Sequence, residues 1–453
     1  MKVRWLRDIA QKAFGGKARE SAKIDWEVVD LIAPGLYQFL VERKFPTARV
    51  TVENPWDKAI HDFQVQLRLQ GISDWFSSSL PEVEPRDRGK IEVILPLPVK
   101  ELYSYEEKNA SFELKCYYKD PSGKNREYSD IRTVRILAKD DMVWSLSILD
   151  TQEDFSELIA AWVTPRDDNV QKLIHESAKD ENAKAVGGLL GYQERHRRTQ
   201  SKKRYAVNPN TYVYIKAHLK HGSTVQGVLN EVAGGSGNDI RFGLLDPDKM
   251  IALIPNVAQQ APIFLQPAKS GYPFMFKSPV ENDYYIVLDN TFSPFSRKDV
   301  DISIQIIEPL THEEIIWYQL KAISQTIQQN GYSYISSSIS YAPGVSQRVK
   351  RPAKTIELRG GNCIDGCVLF ASCFEAIGLD THIITLPNAG HSVVAVRTWR
   401  DSKEFHIVET SIVGSSSFEE SLRIGNDAYV RNRGSAKWIS IAEARDKRVM
   451  PLV

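Results

Sequence analysis

Gly360-Gly361-Asn362-Cys363-Ile364-Asp365-Gly366-Cys367-Val368-Leu369-Phe370-Ala371-Ser372-Cys373-Phe374 is the stretch around which the rest of the chain is organised. Two glycines and an asparagine break the preceding structure. The apolar run after them has helical spacing, with Cys363, Cys367, Ala371 and Phe374 on one face. Cys363 is therefore expected in the first turn of a helix. There, unpaired N–H groups and the positive end of the helix dipole favour a thiolate over a thiol.

Gly378 closes that helix, and Thr381–Leu386 (THIITL) reads as a strand rich in β-branched residues. A Pro387-Asn388-Ala389-Gly390 turn delivers His391 to the entry of a second strand, which runs on from Ser392 to Trp399. A third strand, Phe405–Val408, ends at Glu409. Antiparallel pairing of the last two would set Glu409 beside His391. Glu409 would then fix the imidazole tautomer while His391 takes the proton of Cys363. Gln347, in the long loop from Asn330 to Glu357, is a candidate oxyanion donor beside the N–H of Cys363.

These motifs resemble the transglutaminase-like cysteine peptidase superfamily: a glycine-led Cys at a helix start, a Gly-His at a strand entry, and an acid at the next strand's end. A bacterial branch of it is similar in Gln347-Arg348-Val349-Lys350-Arg351-Pro352 and Asn362-Cys363-Ile364-Asp365-Gly366. The likeness spans residues 311–450 and implies hydrolysis of a peptide or protein amide through a thioester. Transfer to an amine acceptor shares the same chemistry up to that thioester. This chain departs from the branch by inserting Asn388-Ala389 between Pro387 and Gly390, which lengthens the loop that aims His391.

Each residue also has a plainer reading. Cys367 and Cys373 read as packed core residues. His382 lies inside a strand and His406 alternates with Phe405 and Ile407, so both rival bases read as strand-face residues. Glu409 alone would be an exposed strand-end carboxylate. Ordered spacing of Cys, Gly-His and Glu favours catalysis.

At 453 residues the chain is too long for one ordinary core, and about three domains are expected. With 58 Lys and Arg against 57 Asp and Glu, the net charge of +1 gives no global pull towards nucleic acid. Four cysteines, three of them on one helix, cannot form a disulfide framework and point to a reducing, cytoplasmic compartment. No apolar run reaches the roughly 18 residues of a spanning helix, so a soluble protein is expected. Residues 1–22 read as a basic amphipathic helix, with Val3, Leu6, Ile9, Ala10 and Phe14 on one side. Such a helix packs on its own protein or makes peripheral membrane contact.

Residues 23–140 alternate like an antiparallel β-sandwich and carry no catalytic constellation. Residues 150–204 read as a helical bridge followed by a basic run, Glu194 to Arg204, expected as a solvated linker, with a processing or anion-binding site as the alternative. Within the bridge, Ala161-Trp162-Val163-Thr164-Pro165 also resembles a segment of the bacterial branch. Residues 205–308 form a second set of strands. The order of Asp239-Ile240, Asp246-Pro247, Tyr284-Tyr285 and Asp289-Asn290 in it resembles the GOLD-type sandwich, which implies protein or lipid binding without chemistry. Asp239, Asp246 and Asp289 would suit calcium only if they converged, and turn carboxylates are the commoner case. Ile316, Leu320, Ile323 and Ile327 stripe a helix over 313–329 that should pack on the Cys363 helix.

The fold expected is multidomain, mainly β plus α+β: two antiparallel β-sandwiches, a helical bridge and a papain/transglutaminase-like domain over 311–453. The catalytic residues expected are Cys363, His391 and Glu409, with Gln347 as oxyanion candidate and no metal or cofactor. The alternative is a non-catalytic binding or scaffold protein that uses its sandwiches to hold a protein partner.

Overall fold

The computed structural model describes residues 21–148, 151–235, 237–256, 265–337 and 339–452. The amphipathic segment expected over residues 1–22 lies almost wholly outside them. The chain is multidomain and mostly β, with several separate sheets.

Two sheets build the first unit. Lys23–Val28, Ala48–Glu53 and Arg88–Val93 form one antiparallel layer. The other is ordered Leu31–Ile32, Asn125–Ile136, Lys108–Lys119, Ile60–Leu69, Phe76–Val83. Alternation drives this: Val50 and Val52 on one sheet and Phe63, Val65, Leu67, Phe112, Leu114 and Cys116 on the other are all buried, while their neighbours point outward.

The bridge is helical, as its sequence suggests. A buried 3₁₀ turn, Ser156–Trp162, is followed by the helix Asp168–Ser177, whose N-cap Asp167 accepts from the Asn169 N–H. Beyond it the expectation of a linker fails. His196–Val207 is a twelve-residue edge strand paired antiparallel with Lys298–Pro309. Charge and polarity suggest solvation, which is correct for the side chains, but β-branched partners in Lys298–Pro309 supply the backbone ladder. The second β unit thus begins at residue 196 instead of 205. Its two four-stranded sheets, ordered 196–207, 298–309, 224–233, 272–277 and 212–219, 282–289, 239–245, 266–269, enclose their own core of Val225, Leu229, Ile240, Ile286, Leu288 and Ile302. Asp239, Asp246 and Asp289 do not converge there: Asp239 meets Lys298 at 3.2 Å, Asp246 meets Lys249 at 2.7 Å and Asp289 faces Arg241 at 3.8 Å.

The C-terminal unit opens with the helix His312–Gln329, held by a capping box between Thr311 and Glu314. Its apolar stripe, Ile316, Leu320, Ile323 and Ile327, is buried in the same core as Ile364, Val368 and Phe370 of the Cys363 helix, and it packs as well on Asp168–Ser177 and Glu181–Ala185. An antiparallel sheet, ordered Phe405–Val408, His391–Arg397, Thr381–Leu386, Lys437–Ser440, lies between two helices. Ile383, Val394 and Val396 belong to the core that holds Cys363–Ala376, and Ile384, Leu386 and Val393 pack towards Phe418–Asn432.

The first unit, the bridge and the C-terminal unit share one continuous apolar core, from Trp26 through Trp162 to Phe370 and Val408. Backbone bonds tie them as well: Ser346–Arg348 pairs with Asp141–Val143, and the Leu452 N–H donates to Ala161 O at 2.7 Å. No helix among the described residues is long and apolar enough to cross a membrane.

Candidate active site

Cys363 is the first residue of the helix Cys363–Ala376. The break before it is steric as well as conformational. Arg359 ends the helix Pro352–Leu358 in the left-handed region, and Gly360–Gly361 pairs with Ser333–Tyr334. A Cβ at Gly361 would lie 2.5 Å from that of Asp365. Asn362 then caps: its Oδ1 accepts from the Asp365 N–H at 3.0 Å, and Asp365 Oδ2 accepts from the Asn362 N–H at 3.1 Å. Asp365, 1 % exposed, is also met by Lys350, whose N–H and ammonium donate at 2.7 and 2.8 Å. The capping box and the Lys350–Asp365 ion pair therefore fix where the sulfur sits.

His391 opens its strand opposite Leu386. The two extra residues of the loop are absorbed by a 3₁₀ turn, Pro387–Ala389, closed by Gly390 at φ +55°, so the hairpin still places His391 at the sheet's mouth. Val394 faces Val408 across the next pair of strands, which puts Glu409 diagonal to His391. Glu409 Oε2 lies 2.7 Å from His391 Nε2, and its Oε1 accepts from the Ser411 N–H at 2.9 Å. Burial alone would lower the imidazole's pKa, but hydrogen bonds to Cys363 and to Glu409 outweigh it and push His391 up to about 10. Burial would raise Glu409, and the bond to His391 instead holds it below the usual carboxylate range. With Nε2 taken by Glu409, Nδ1 is the nitrogen left for the sulfur.

Cys363, His391 and Glu409 are thus brought together. Gln347 is buried: its Oε1 accepts from the Trp144 indole N–H at 3.0 Å, and its amide nitrogen has no partner among the described residues. Trp144 packs at a tilt against Tyr341 with centroids 4.8 Å apart, and the Tyr341 hydroxyl donates to His391 O at 2.9 Å. Of the rival bases, His382 sits edge-on to Phe405 and Trp438, while burial lowers His406.

Sequence reasoning missed Ser392, Thr410, Tyr341 and Trp144. The Ser392 hydroxyl donates to Cys363 Sγ at 3.3 Å, and Cys367 Sγ lies 3.6 Å from the same oxygen. Thr410 Oγ1 donates to Cys363 O at 3.2 Å. Adjacency to His391 and Glu409 was the available signal for Ser392 and Thr410. Trp144 lies 203 residues from Gln347, and no local pattern marks it.

Cys363 is fully buried. The Asn362 amide donates to Ser337 Oγ at 2.8 Å and the Tyr341 hydroxyl to His391 O at 2.9 Å, so Ser337 and Tyr341 of the long loop stand against the site. A cavity of about 1660 Å³ lies elsewhere, lined by Lys139, Arg166, Lys350, Arg351 and Leu452 among others and by none of Cys363, His391 and Glu409.

No family model matches the chain, and no curated protein does. Among solved structures, a periplasmic inhibitor of g-type lysozyme from Aeromonas hydrophila aligns over 24 % of this chain and 86 % of its own at 15 % identity, with a TM-score of 0.16. A putative late embryogenesis abundant protein aligns over 30 % and 84 % at 14 % identity, TM-score 0.20. Carbohydrate-binding modules of the β-sandwich superfamily align over 65 % and 95 % at 9 % identity, TM-score 0.14. Scores this low carry no functional argument.

Proposed function

We propose that the chain is a cysteine-dependent acyl-transfer enzyme of the transglutaminase-like class, acting on a peptide or protein amide, with a papain/transglutaminase-like unit over residues 311–453. The observation that carries this reading is His391 held between Cys363 and a Glu409 carboxylate 2.7 Å away.

In this reading the proton resides on His391 and the sulfur attacks as a thiolate. The Cys363 sulfur bonds to the amide carbon, and the carbonyl oxygen takes the negative charge beside the N–H of Cys363. The free amide N–H groups of Gln347 are the second candidate donor. His391 protonates the leaving amine, and the C–N bond breaks to leave a thioester. Water, deprotonated by His391, then attacks the thioester, releasing the acid and restoring the thiolate–imidazolium pair. Glu409 orients the ring and stabilises its charge throughout. Substrate entry requires Tyr334 and Tyr341 to swing aside.

Iodoacetamide labelling tests this. Burial raises the thiols of Cys116, Cys367 and Cys373, which leaves Cys363 as the expected target at neutral pH. Cys363→Ala should abolish labelling and peptide turnover with an unchanged circular dichroism spectrum. Equal labelling of both proteins would overturn the proposal.

The full burial of Cys363 favours a second reading, a binding protein with a silent site. It is supported if the wild type resists labelling even after Tyr334 and Tyr341 are both replaced by alanine.

A further inference from the structure

The strand His196–Val207 pairs on one side only, with Lys298–Pro309, and stands at the edge of its sheet. Every residue from His196 to Arg204 is exposed. Five of them are Arg197, Arg198, Lys202, Lys203 and Arg204, and none has an ion pair or a side-chain hydrogen bond among the described residues. By contrast Lys216, Lys220, Arg241, Arg297 and Lys298 of the same unit each face a carboxylate. Two acids stand across the ladder, Glu308 opposite Arg197 and Asp301 opposite Arg204, and neither forms an ion pair.

We propose that this edge is a docking site for an acidic, extended peptide segment that adds as a further strand. An edge strand leaves alternate N–H and C=O groups unpaired along its open side, and an incoming strand about 4.8 Å away satisfies them. Arg198, Lys202 and Arg204 project from one face of the sheet, Arg197 and Lys203 from the other, with i and i+2 neighbours about 6.7 Å apart. Acidic side chains on both faces of the added strand would meet them as cross-strand and diagonal pairs. Charge on an edge also discourages pairing between copies. Here its uniform sign excludes a second copy of this strand as the occupant, and the same field draws an acidic one. From Arg195 to Arg204 there is no Phe, Tyr or Trp to stack on bases, His196 being the one ring, and no large apolar side chain to enter a bilayer, so single-stranded nucleic acid and membrane are disfavoured.

The test uses the full chain and a fluorescein-labelled 14-residue peptide that alternates Glu with Thr and Val, read by anisotropy. Binding should weaken about ten-fold between 50 and 300 mM salt. It should also weaken at least ten-fold when Glu is replaced by Gln in the peptide, or in the Arg198→Glu, Lys202→Glu, Arg204→Glu triple variant. Hydrogen exchange should show new protection of amides within residues 196–206 in the complex. Equal affinity for the Gln peptide, binding without that protection, or tighter binding to oligo(dT) or phosphatidylserine vesicles would each overturn the proposal. None of these outcomes depends on Cys363, so the catalytic reading stands or falls separately.

Discussion

Glu409 is where the site's electrostatics are concentrated. It is 2 % exposed, it meets His391 at 2.7 Å, and its removal leaves a half-buried imidazole without its carboxylate. Glu409→Gln should cut turnover on the order of 10²–10⁴-fold, the span over which a correctly held acid–base group acts. The alkaline limb of the pH–rate profile should also move below the wild-type value, because His391 loses a partner that raises it. The same pair sets a stability window. His391 titrates near 10 when folded and at 6.5 when not, so its contribution is complete below about pH 6.5 and is lost as pH rises through 10. Glu409 is held low, so its contribution is present above its ordinary value of 4.5 and is lost as pH falls. Melting temperature measured from pH 4 to 11 should decline at both ends in the wild type, and more weakly at both in Glu409→Gln.

The helix Cys363–Ala376 carries the strictest packing. Asn362→Ala removes its cap and should cost about 1 kcal/mol in denaturant unfolding. Asp365→Asn strands Lys350 beside a buried amide and should cost more, about 3–5 kcal/mol. Gly366 lies in the helix because a Cβ there would come 2.6 Å from Thr410 Oγ1 and 2.9 Å from the Tyr332 hydroxyl. Gly366→Ala should therefore destabilise by about 1–3 kcal/mol despite alanine's better helix propensity. A stabilised Gly366→Ala protein would mean that the helix stands further from Thr410. Read as sequence, Gly366 is only a weak point in a helical run; the contact that requires it belongs to another strand.

At the scale of the molecule, the two largest apolar cores among the described residues mark two cooperative units. Residues 196–309 enclose one, and the other is built jointly by the first β unit, the bridge and the C-terminal unit. Calorimetry should resolve two transitions, and hydrogen exchange should assign residues 196–309 to one of them. Residues 311–453 expressed alone should not fold cooperatively, since they would expose the faces of Ile364, Val368 and Phe370 that join the shared core. A sharp melting transition for that fragment would refute the shared core. Domain boundaries drawn from composition alone place 23–140 and 311–453 far apart, because hydrophobic contacts hundreds of residues distant leave no local trace.

Short-range rules in the sequence determined the helix start at Cys363, the strand entry at His391, the strand end at Glu409 and the alternation that buries one face of each sheet. Each depends on neighbours a few residues away, through capping, turn chemistry and periodicity. Only the tertiary structure decided that the basic run is an edge strand, that Asp168–Ser177 packs on both His312–Gln329 and the Cys363 helix, and that Trp144 holds Gln347. The burial of Cys363 was decided there too. Those outcomes are competitions between distant surfaces for the same partner, and which surface wins depends on where the whole chain brings them.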